Sequence, residues 1–181
     1  MGAPLANVSV RGVEAADLDA IQRIYAYHVL HGLASFEEAP PDAAELTRRW
    51  HAIADAGLPY LCATDGADGA VLGYAYAAAY RARSAYRFAV EDSVYVAPQA
   101  ARRGVGRALL HGLIDTCTDL GKRQMIAVIG DSGNQASIAL HRVCGFELVG
   151  TFTAIGFKHG RWVDTVLMQR ELGPGNGPLP G

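Results

Sequence analysis

The chain has 181 residues, half of them hydrophobic, which is enough for one sizeable core and favours a single domain. Its formal net charge of -2 provides no overall field that would attract nucleic acid or an acidic membrane surface, so any anion site must be local. Cys62, Cys117 and Cys144 show no CxxC spacing, which argues against a disulfide framework or a metal site and fits a reducing compartment. Without a signal-peptide pattern or a membrane-spanning stretch, we expect a cytoplasmic protein.

The first predicted elements are a strand over residues 8–11 and a helix over 17–32, because "DLDAIQRIYAYHVLHG" places its apolar residues on one face. Asp42 followed by Glu45 resembles a capping box and opens a second helix, which ends at Gly57. Two strands then flank the Asp/Gly turn "DGADG", and "RFAVEDSVYV" is a further, long strand.

The second half of the chain continues with an apolar helical stripe that ends at Gly121, the buried strand "QMIAVIG" and the short helix "ASIALHRVCG". Two antiparallel strands follow, "FELVGTFTAIG" and "RWVDTVLMQREL". The order β-α-α-β-β-β-α-β-α-β-β predicts a mixed α/β fold with one sheet and helices on its faces. Composition predicts one domain over residues 1–172 and a disordered Gly/Pro tail over residues 173–181.

The segment "VAPQAARRGVGRALL" places two glycines and three arginines where a strand gives way to a helix. It lacks the GxxxxGK[ST] string of a P-loop, and Leu109 stands where a dinucleotide-binding fingerprint has its third glycine. A helix N-terminus whose amides hold a pyrophosphate, with charge from the arginines, fits the pattern. An ordinary helix start on a basic surface fits it too, and this segment alone favours that second interpretation.

The downstream segment "NQASIALHRVCGF" changes this balance. Together the two segments resemble the Gcn5-related N-acetyltransferase (GNAT) superfamily, whose motifs are [QR]xxGx[GA] and N-x-x-A-x-x-x-Y-x-x-x-G-F. Gly104 and Gly106 match the loop glycines, whereas Ala101 stands at the Gln/Arg position. In the later motif Ser137 replaces the alanine and His141 replaces the tyrosine.

A narrower resemblance covers residues 8 to 172. In chain order, "YAYH", "SFEE", "GYAYAAAYRARSAYRFAVEDSVYV", "AVIGDSGNQASIALHRVCGF" and "FKHGRWVDTVLMQ" are similar to phosphinothricin N-acetyltransferases and their methionine sulfoximine/sulfone-acetylating relatives. This resemblance implies a GNAT fold, in which helices flank both faces of a mixed sheet and a splayed pair of parallel strands holds acetyl-CoA. It implies direct acetyl transfer from acetyl-CoA, without a metal, to the α-amino group of a small amino-acid-like acceptor, such as the herbicide phosphinothricin. It also implies a homodimer.

The resemblance further implies which residues hold acetyl-CoA. The strand after Glu91 should offer its backbone to the acetyl carbonyl and the pantetheine arm, and the glycine loop should hold the pyrophosphate. The implied cofactor-binding residues are Val94, Tyr95, Val96, Arg102, Arg103, Gly104, Val105, Gly106, Arg107 and Asn134.

Two residues are the candidates for proton transfer. Glu91 lies inside the apolar run "FAVEDSVYV", where a carboxylate is costly unless it is paired or used, and alternation places it on the face opposite Val90. The residues alone fit a structural salt bridge as well as a catalytic base, and the resemblance implies the base. His141 stands where the superfamily's tyrosine protonates the CoA sulfur, so it could be that acid, help to deprotonate the amine, or be a core histidine.

Acceptor binding is predicted for Phe36, Arg81, Arg83 and Tyr86. Arginines in "YRARSAY" suit bidentate capture of a carboxylate or of an oxidised sulfur or phosphorus group, although solvated loop charges are the alternative. Rival functions are acetylation of a protein N-terminus or a polyamine, and an inactive acyl-CoA sensor. The basic loop argues against a polyamine, and the presence of both Glu91 and His141 argues against a sensor.

Overall fold

Strands and helices follow one another along the chain in the order that the sequence predicts. The computed structural model describes residues 8–178, and within them it has seven strands and four helices besides short 3-10 turns. The strands are β1 (Val8–Gly12), β2 (Tyr60–Asp65), β3 (Val71–Ala79), β4 (Ala89–Val96), β5 (Gln124–Gly130), β6 (Glu147–Lys158) and β7 (Arg161–Glu171). The helices are α1 (Leu18–His31), α2 (Ala43–Asp55), α3 (Val105–Asp119) and α4 (Gln135–Val143).

Local signals place the helix ends. Asp42 caps α2 by accepting a hydrogen bond from the Glu45 amide at 2.8 Å, as predicted. The Glu45 carboxylate binds Arg48 and Arg49 instead of reaching back to Asp42, so only half of the capping box forms. Gly121 follows Leu120, the C-cap residue of α3, with a φ of 73°, in the left-handed region that favours glycine.

The strands form one mixed sheet in the order β1-β2-β3-β4-β5-β7-β6. Only the β4–β5 pair in this sheet is parallel, and it is short, since its register runs from Ala89↔Gln124 to Asp92↔Ala127. Beyond that point β4 stays paired with β3 as far as Val96, and β5 stays paired with β7 as far as Gly130. The two strands therefore diverge at the centre of the sheet, which confirms the predicted splayed pair.

Side chains of β4 alternate between the two faces of the sheet. On one face, the Tyr95 ring lies 5.0 Å from the Tyr25 ring of α1. On the other face, Val90 is fully buried and Asp92 is hydrogen-bonded to His141 of α4. Glu91 shares its face with Tyr95. The two candidates for proton transfer, Glu91 and His141, therefore lie on opposite faces of the sheet.

The connection between α1 and α2 is anchored at the open end of the splay. A Cβ at Gly130 would overlap the carbonyl oxygen of Leu33, and a Cβ at Gly156 would overlap the Phe36 ring. The buried Lys158 donates a hydrogen bond from Nζ to the Ser35 carbonyl at 2.6 Å. This loop therefore forms a fixed wall beside the carboxyl end of β5.

Residues 173–176 of the carboxyl-terminal tail, for which composition predicts disorder, form turns. Arg123 is buried, and its guanidinium donates to the carbonyl of Gly175 at 3.3 Å and to that of Pro178 at 3.1 Å. These bonds give the tail a partner that composition does not reveal. Residues 179–181, also part of the predicted tail, lie outside the described residues. Within the described part of the chain, no helix is long and apolar enough to cross a membrane.

Candidate active site

A groove of about 680 Å³ runs from the amino-terminal end of α3 into the gap between β4 and β5. Its walls include the α1–α2 loop, the edge of β4 and the start of α4. Nine of the ten residues that the sequence predicts for cofactor binding line it: Val94, Tyr95, Val96, Arg102, Gly104, Val105, Gly106, Arg107 and Asn134.

The amino-terminal end of α3 has the features of an anion site. Gly104 is the N-cap residue and has a φ of 81°, a left-handed conformation that residues other than glycine rarely adopt. No side chain forms a capping hydrogen bond at this end of the helix within the described residues. The first amides of a helix lack intrahelical acceptors and lie at the positive end of its dipole. Arg102 and Arg107 add two cations to the groove. A pyrophosphate therefore fits this end of the groove, as the helix N-terminus interpretation requires.

Gly106 serves close packing as well as the groove. A Cβ at this position would lie 3.1 Å from Cδ2 of Leu140 and 3.5 Å from Cγ2 of Val96. The missing side chain lets α3 approach both α4 and β4.

Arg103 is the exception among the predicted cofactor residues. Its guanidinium donates to Oδ2 of Asp65 on β2 at 3.0 Å and does not line the groove. The expectation that its side chain supplies charge to the pyrophosphate therefore does not fit the structure, because Asp65 already neutralises it.

The middle of the groove exposes backbone groups of β4. After Asp92 this strand has lost its parallel neighbour, so the amides and carbonyls on that edge are free to pair with an extended ligand. His28 of α1 lines the same stretch, and its Nε2 lies 2.9 Å from the carbonyl oxygen of Val96. Burial lowers the pKa of His28, although the bond to Val96 opposes this, so the neutral ring donates to that carbonyl. The sequence analysis did not single out His28 as a site residue.

Asn134 lies at the entrance of α4. Its side-chain oxygen accepts a hydrogen bond from the Ser137 amide at 3.2 Å, which caps the helix. Asn134 also lines the groove. Capping of α4 and contact with a bound cofactor are thus compatible roles for Asn134.

The groove ends in a small cavity of about 50 Å³ inside the splay, lined by Asp92, Ser93, Asn134, Ser137 and His141 among others. His141 is only 4 % exposed. Its Nε2 lies 3.0 Å from Oδ2 of Asp92, and its Nδ1 lies 2.8 Å from the carbonyl oxygen of Ser137. Burial lowers the pKa of His141, but the hydrogen bond and the negative charge of Asp92 outweigh burial and leave it raised.

Glu91 is half-buried on the opposite face of β4. Burial raises its pKa first of all, and the negative charge of Asp92 raises it further, while the positive charge of Arg81 opposes both. A carboxylate in this environment holds a proton more strongly than an exposed one does, which suits a base that must accept a proton from an ammonium.

The predicted acceptor residues are only partly brought together. Arg81 is close enough to Glu91 to act on its pKa, and its guanidinium lies 4.6 Å from the centre of the Tyr80 ring. Phe36 packs against glycines of β5 and β6, beside the open end of the splay. Arg83 and Tyr86 lie farther along the β3–β4 connection, where the Tyr86 ring packs 5.6 Å from that of Tyr80. None of the four predicted acceptor residues lines the groove or the small cavity.

Comparison with known proteins accounts for this arrangement. A family model described as an acetyltransferase (GNAT) domain matches residues 10–167. This chain belongs to the GNAT acetyltransferase family. It is an N-acetyltransferase that takes its acetyl group from acetyl-CoA, as the sequence predicts.

The relatives of this GNAT enzyme are similar over nearly its whole length. A phosphinothricin N-acetyltransferase of Alcaligenes faecalis is 57% identical over 172 residues, which are 95% of this chain and 86% of the relative. An L-methionine sulfoximine/L-methionine sulfone acetyltransferase of Pseudomonas paraeruginosa is 41% identical over 93% of this chain and 96% of its own. A crystal structure of a phosphinothricin acetyltransferase from Sinorhizobium meliloti, in complex with acetyl-CoA, matches with a TM-score of 0.92 and 52% identity. That match covers 97% of this chain and 94% of the crystallised one.

Besides His28, sequence reasoning also missed Asp92 as a site residue of this GNAT enzyme. The argument that singles out Glu91, a carboxylate in an apolar strand, applies equally to its neighbour. That second carboxylate was the available signal, whereas its partner on α4 becomes visible only in the structure.

Proposed function

We propose that this GNAT enzyme acetylates the α-amino group of small amino acids whose side chain carries an oxidised phosphorus or sulfur group. Phosphinothricin, methionine sulfoximine and methionine sulfone are the acceptors of this class, and a bacterium or plant that expressed the enzyme would resist the herbicide phosphinothricin. The observation that carries the proposal is the similarity, over nearly the entire chain, to enzymes named for these acceptors. Arg81, a cation beside Glu91, supports it because guanidinium binds carboxylate, phosphinate and sulfone oxygens well.

The two faces of β4 divide the proton chemistry. When bound in the groove, acetyl-CoA would supply an activated thioester at the splay. Glu91 takes a proton from the acceptor ammonium on the α1 face, directly or through a water. The Asp92–His141 side then holds a proton near the departing sulfur, and amides of the free β4 edge stabilise the carbonyl oxygen.

A panel of acceptors tests the proposal. Purified enzyme is mixed with acetyl-CoA and one amine at a time, and release of the CoA thiol is followed. We expect phosphinothricin, methionine sulfoximine and methionine sulfone to be acetylated with much higher kcat/KM than methionine, a peptide N-terminus or spermidine. Preference for the peptide or the polyamine would replace this proposal with the corresponding rival function. Binding of acetyl-CoA without thiol release from any acceptor would identify an acyl-CoA sensor.

We also propose that the enzyme is a homodimer that associates through the outer face of the β6–β7 hairpin. β6 is an edge strand of the sheet, and a row of large apolar side chains on the hairpin is more than half exposed. They are Leu148, Val149, Phe152, Ile155, Phe157 and Trp162. An exposed apolar edge of this length favours pairing with another chain, and a second copy offers the self-complementary surface of a two-fold interface. The hairpin adjoins the Phe36 loop, so the interface would border the acceptor side of the splay.

Sedimentation at micromolar concentration tests the dimer. We expect a dimer for the natural sequence and a monomer for Phe152→Lys. Leu120→Lys at the end of α3 changes an equally exposed apolar residue far along the chain from the hairpin, and it should remain dimeric. A natural sequence that sediments only as a monomer would refute the interface.

A reducing compartment such as the cytoplasm fits the same proposal. Cys62, Cys117 and Cys144 are all free and buried.

A further inference from the structure

The hydrogen bonds of His141 indicate how many protons the Asp92–His141 pair holds. The carbonyl oxygen of Ser137 can only accept, so the 2.8 Å contact requires a proton on Nδ1. The 3.0 Å contact between Nε2 and Oδ2 of Asp92 then requires a second proton, because a carboxylate and a ring lone pair would repel each other. The Asp92–His141 pair therefore holds one proton more than a neutral ring beside a carboxylate would.

The surroundings of the pair favour keeping that proton. The other titratable groups on which the charge of Asp92 acts are Glu91 on β4, Cys117 on α3 and Cys144 after α4, and it raises the pKa of each. Burial is the larger cause for both thiols, and it raises the pKa of Cys117 to about 12. Neither thiol therefore competes with His141 as a charged partner.

Two positive charges lower the pKa of the same Cys144 thiol whose pKa Asp92 raises. Arg107 of α3 and Arg170 of β7 act on the Cys144 thiol. The Arg170 guanidinium donates to the Cys144 carbonyl. Within the described part of the chain, the second carboxylate oxygen of Asp92, Oδ1, is buried without a hydrogen-bond partner, so the imidazolium is the cation that compensates this carboxylate.

The pair lies where the reacting end of acetyl-CoA must arrive. Asp92 and His141 line the cavity inside the splay, and this cavity shares Val94, Tyr95 and Asn134 with the cofactor groove. A thioester in the splay would meet the pair on the side opposite Glu91. One face of β4 thus holds the base for the amine, and the other holds an available proton.

We propose that Asp92 is a positioning residue that keeps His141 doubly protonated, and that this pair stores the proton received by the CoA thiolate. The C–N bond forms and the C–S bond breaks, and the thiolate takes one proton from the pair, which leaves a neutral His141 beside the Asp92 carboxylate. The acceptor nitrogen loses two protons in total, one to Glu91 and one that restores the pair through solvent. This inference rests on the proposed acetyl transfer, and it assigns Asp92 a role that does not depend on which amine is the acceptor.

Nitrogen NMR of the ring tests the inference without any substrate. In ¹⁵N-histidine-labelled enzyme, both nitrogens of His141 should carry protons at pH 7.5, whereas His28, whose pKa is lowered by burial, should carry one and serves as the internal reference. In Asp92→Asn, the His141 pKa should fall by about one unit or more, since an opposite charge at this distance typically shifts a pKa by about 1–3 units. A singly protonated His141 in the natural sequence, or an unchanged pKa in Asp92→Asn, would overturn the proposal.

The pH dependence of turnover provides a second measurement. The kcat of the natural enzyme should decline at high pH as the pair loses its proton, and Asp92→Asn should move this decline to lower pH by about the same one unit. The KM for acetyl-CoA should change little, which separates proton storage from a distorted groove. If Asp92→Asn does not fold, the ring spectrum of the natural sequence still decides the protonation state. Absence of transfer to every amine would refute the proposed function and leave that spectrum interpretable, so the two failures can be told apart.

Discussion

Replacement of Glu91 by glutamine is the most direct test of the base. Glutamine keeps the shape and hydrogen-bonding capacity of the side chain but cannot accept a proton. In the structure, burial and the charge of Asp92 raise the pKa of Glu91, so the natural side chain is a stronger base than an exposed carboxylate, and glutamine loses all of that basicity. We expect turnover at pH 7 to fall on the order of 10²–10⁴-fold, the usual contribution of a positioned base. This loss corresponds to an increase of about 3–5 kcal/mol in the activation barrier.

The pH dependence of the defect identifies its cause. As pH rises, more of the acceptor amine is already neutral, so the difference between Glu91→Gln and the natural enzyme should shrink. The affinity for acetyl-CoA should be nearly unchanged, because Glu91 points away from α3 and does not line the groove.

Thiol release at several pH values measures the rates, and calorimetry measures acetyl-CoA binding. Asp119→Asn at the end of α3 removes one exposed carboxylate far along the chain from the site, and it should leave turnover unaltered. Near wild-type turnover of Glu91→Gln at pH 7 would mean that this carboxylate is structural and not the base.

Three other predictions concern the groove and the buried pair. Gly106→Val should raise the dissociation constant of CoA at least several-fold while the chain remains folded, because a side chain there obstructs the backbone and presses on Leu140; calorimetry and circular dichroism check both parts. Arg107→Ala should weaken CoA binding, and more so at low salt, whereas Arg103→Ala should change it little because Asp65 already neutralises Arg103. Since the pKa of His141 is raised in the folded chain, the pair's contribution to stability is fully present below the ordinary value of 6.5 and is lost as pH rises through the folded-state value. Urea unfolding should therefore show that the free energy of unfolding falls between mildly acidic and alkaline pH, and that Asp92→Asn makes this fall smaller. An equal dependence of the free energy of unfolding on pH in the two proteins would contradict this prediction.

The order of the elements could be predicted because each signal is local. The Asp42 cap, the glycine after α3 and the apolar periods act within one or two turns of chain, and the structure has all eleven elements in the predicted order. Most residues predicted to bind the cofactor line a single groove, because the glycine loop is continuous in sequence, and their contact with acetyl-CoA stays a prediction. Alternation along β4 is equally local, and it places Glu91 on the face opposite the buried Val90.

What the sequence by itself determined is therefore the succession of helices and strands, the glycine loop and the two faces of β4, all of which depend on neighbouring residues. Only the tertiary structure decided which distant groups meet those faces. His141 is 49 positions from Asp92 and Arg103 is 38 from Asp65, and no local pattern indicates either pairing. Such contacts depend on where α3 and α4 pack and on where the β4–β5 register ends. The packing of these elements and the end of this register minimise the free energy of the whole chain. A buried carboxylate such as Asp92 is therefore paired with whichever group the packing places beside it.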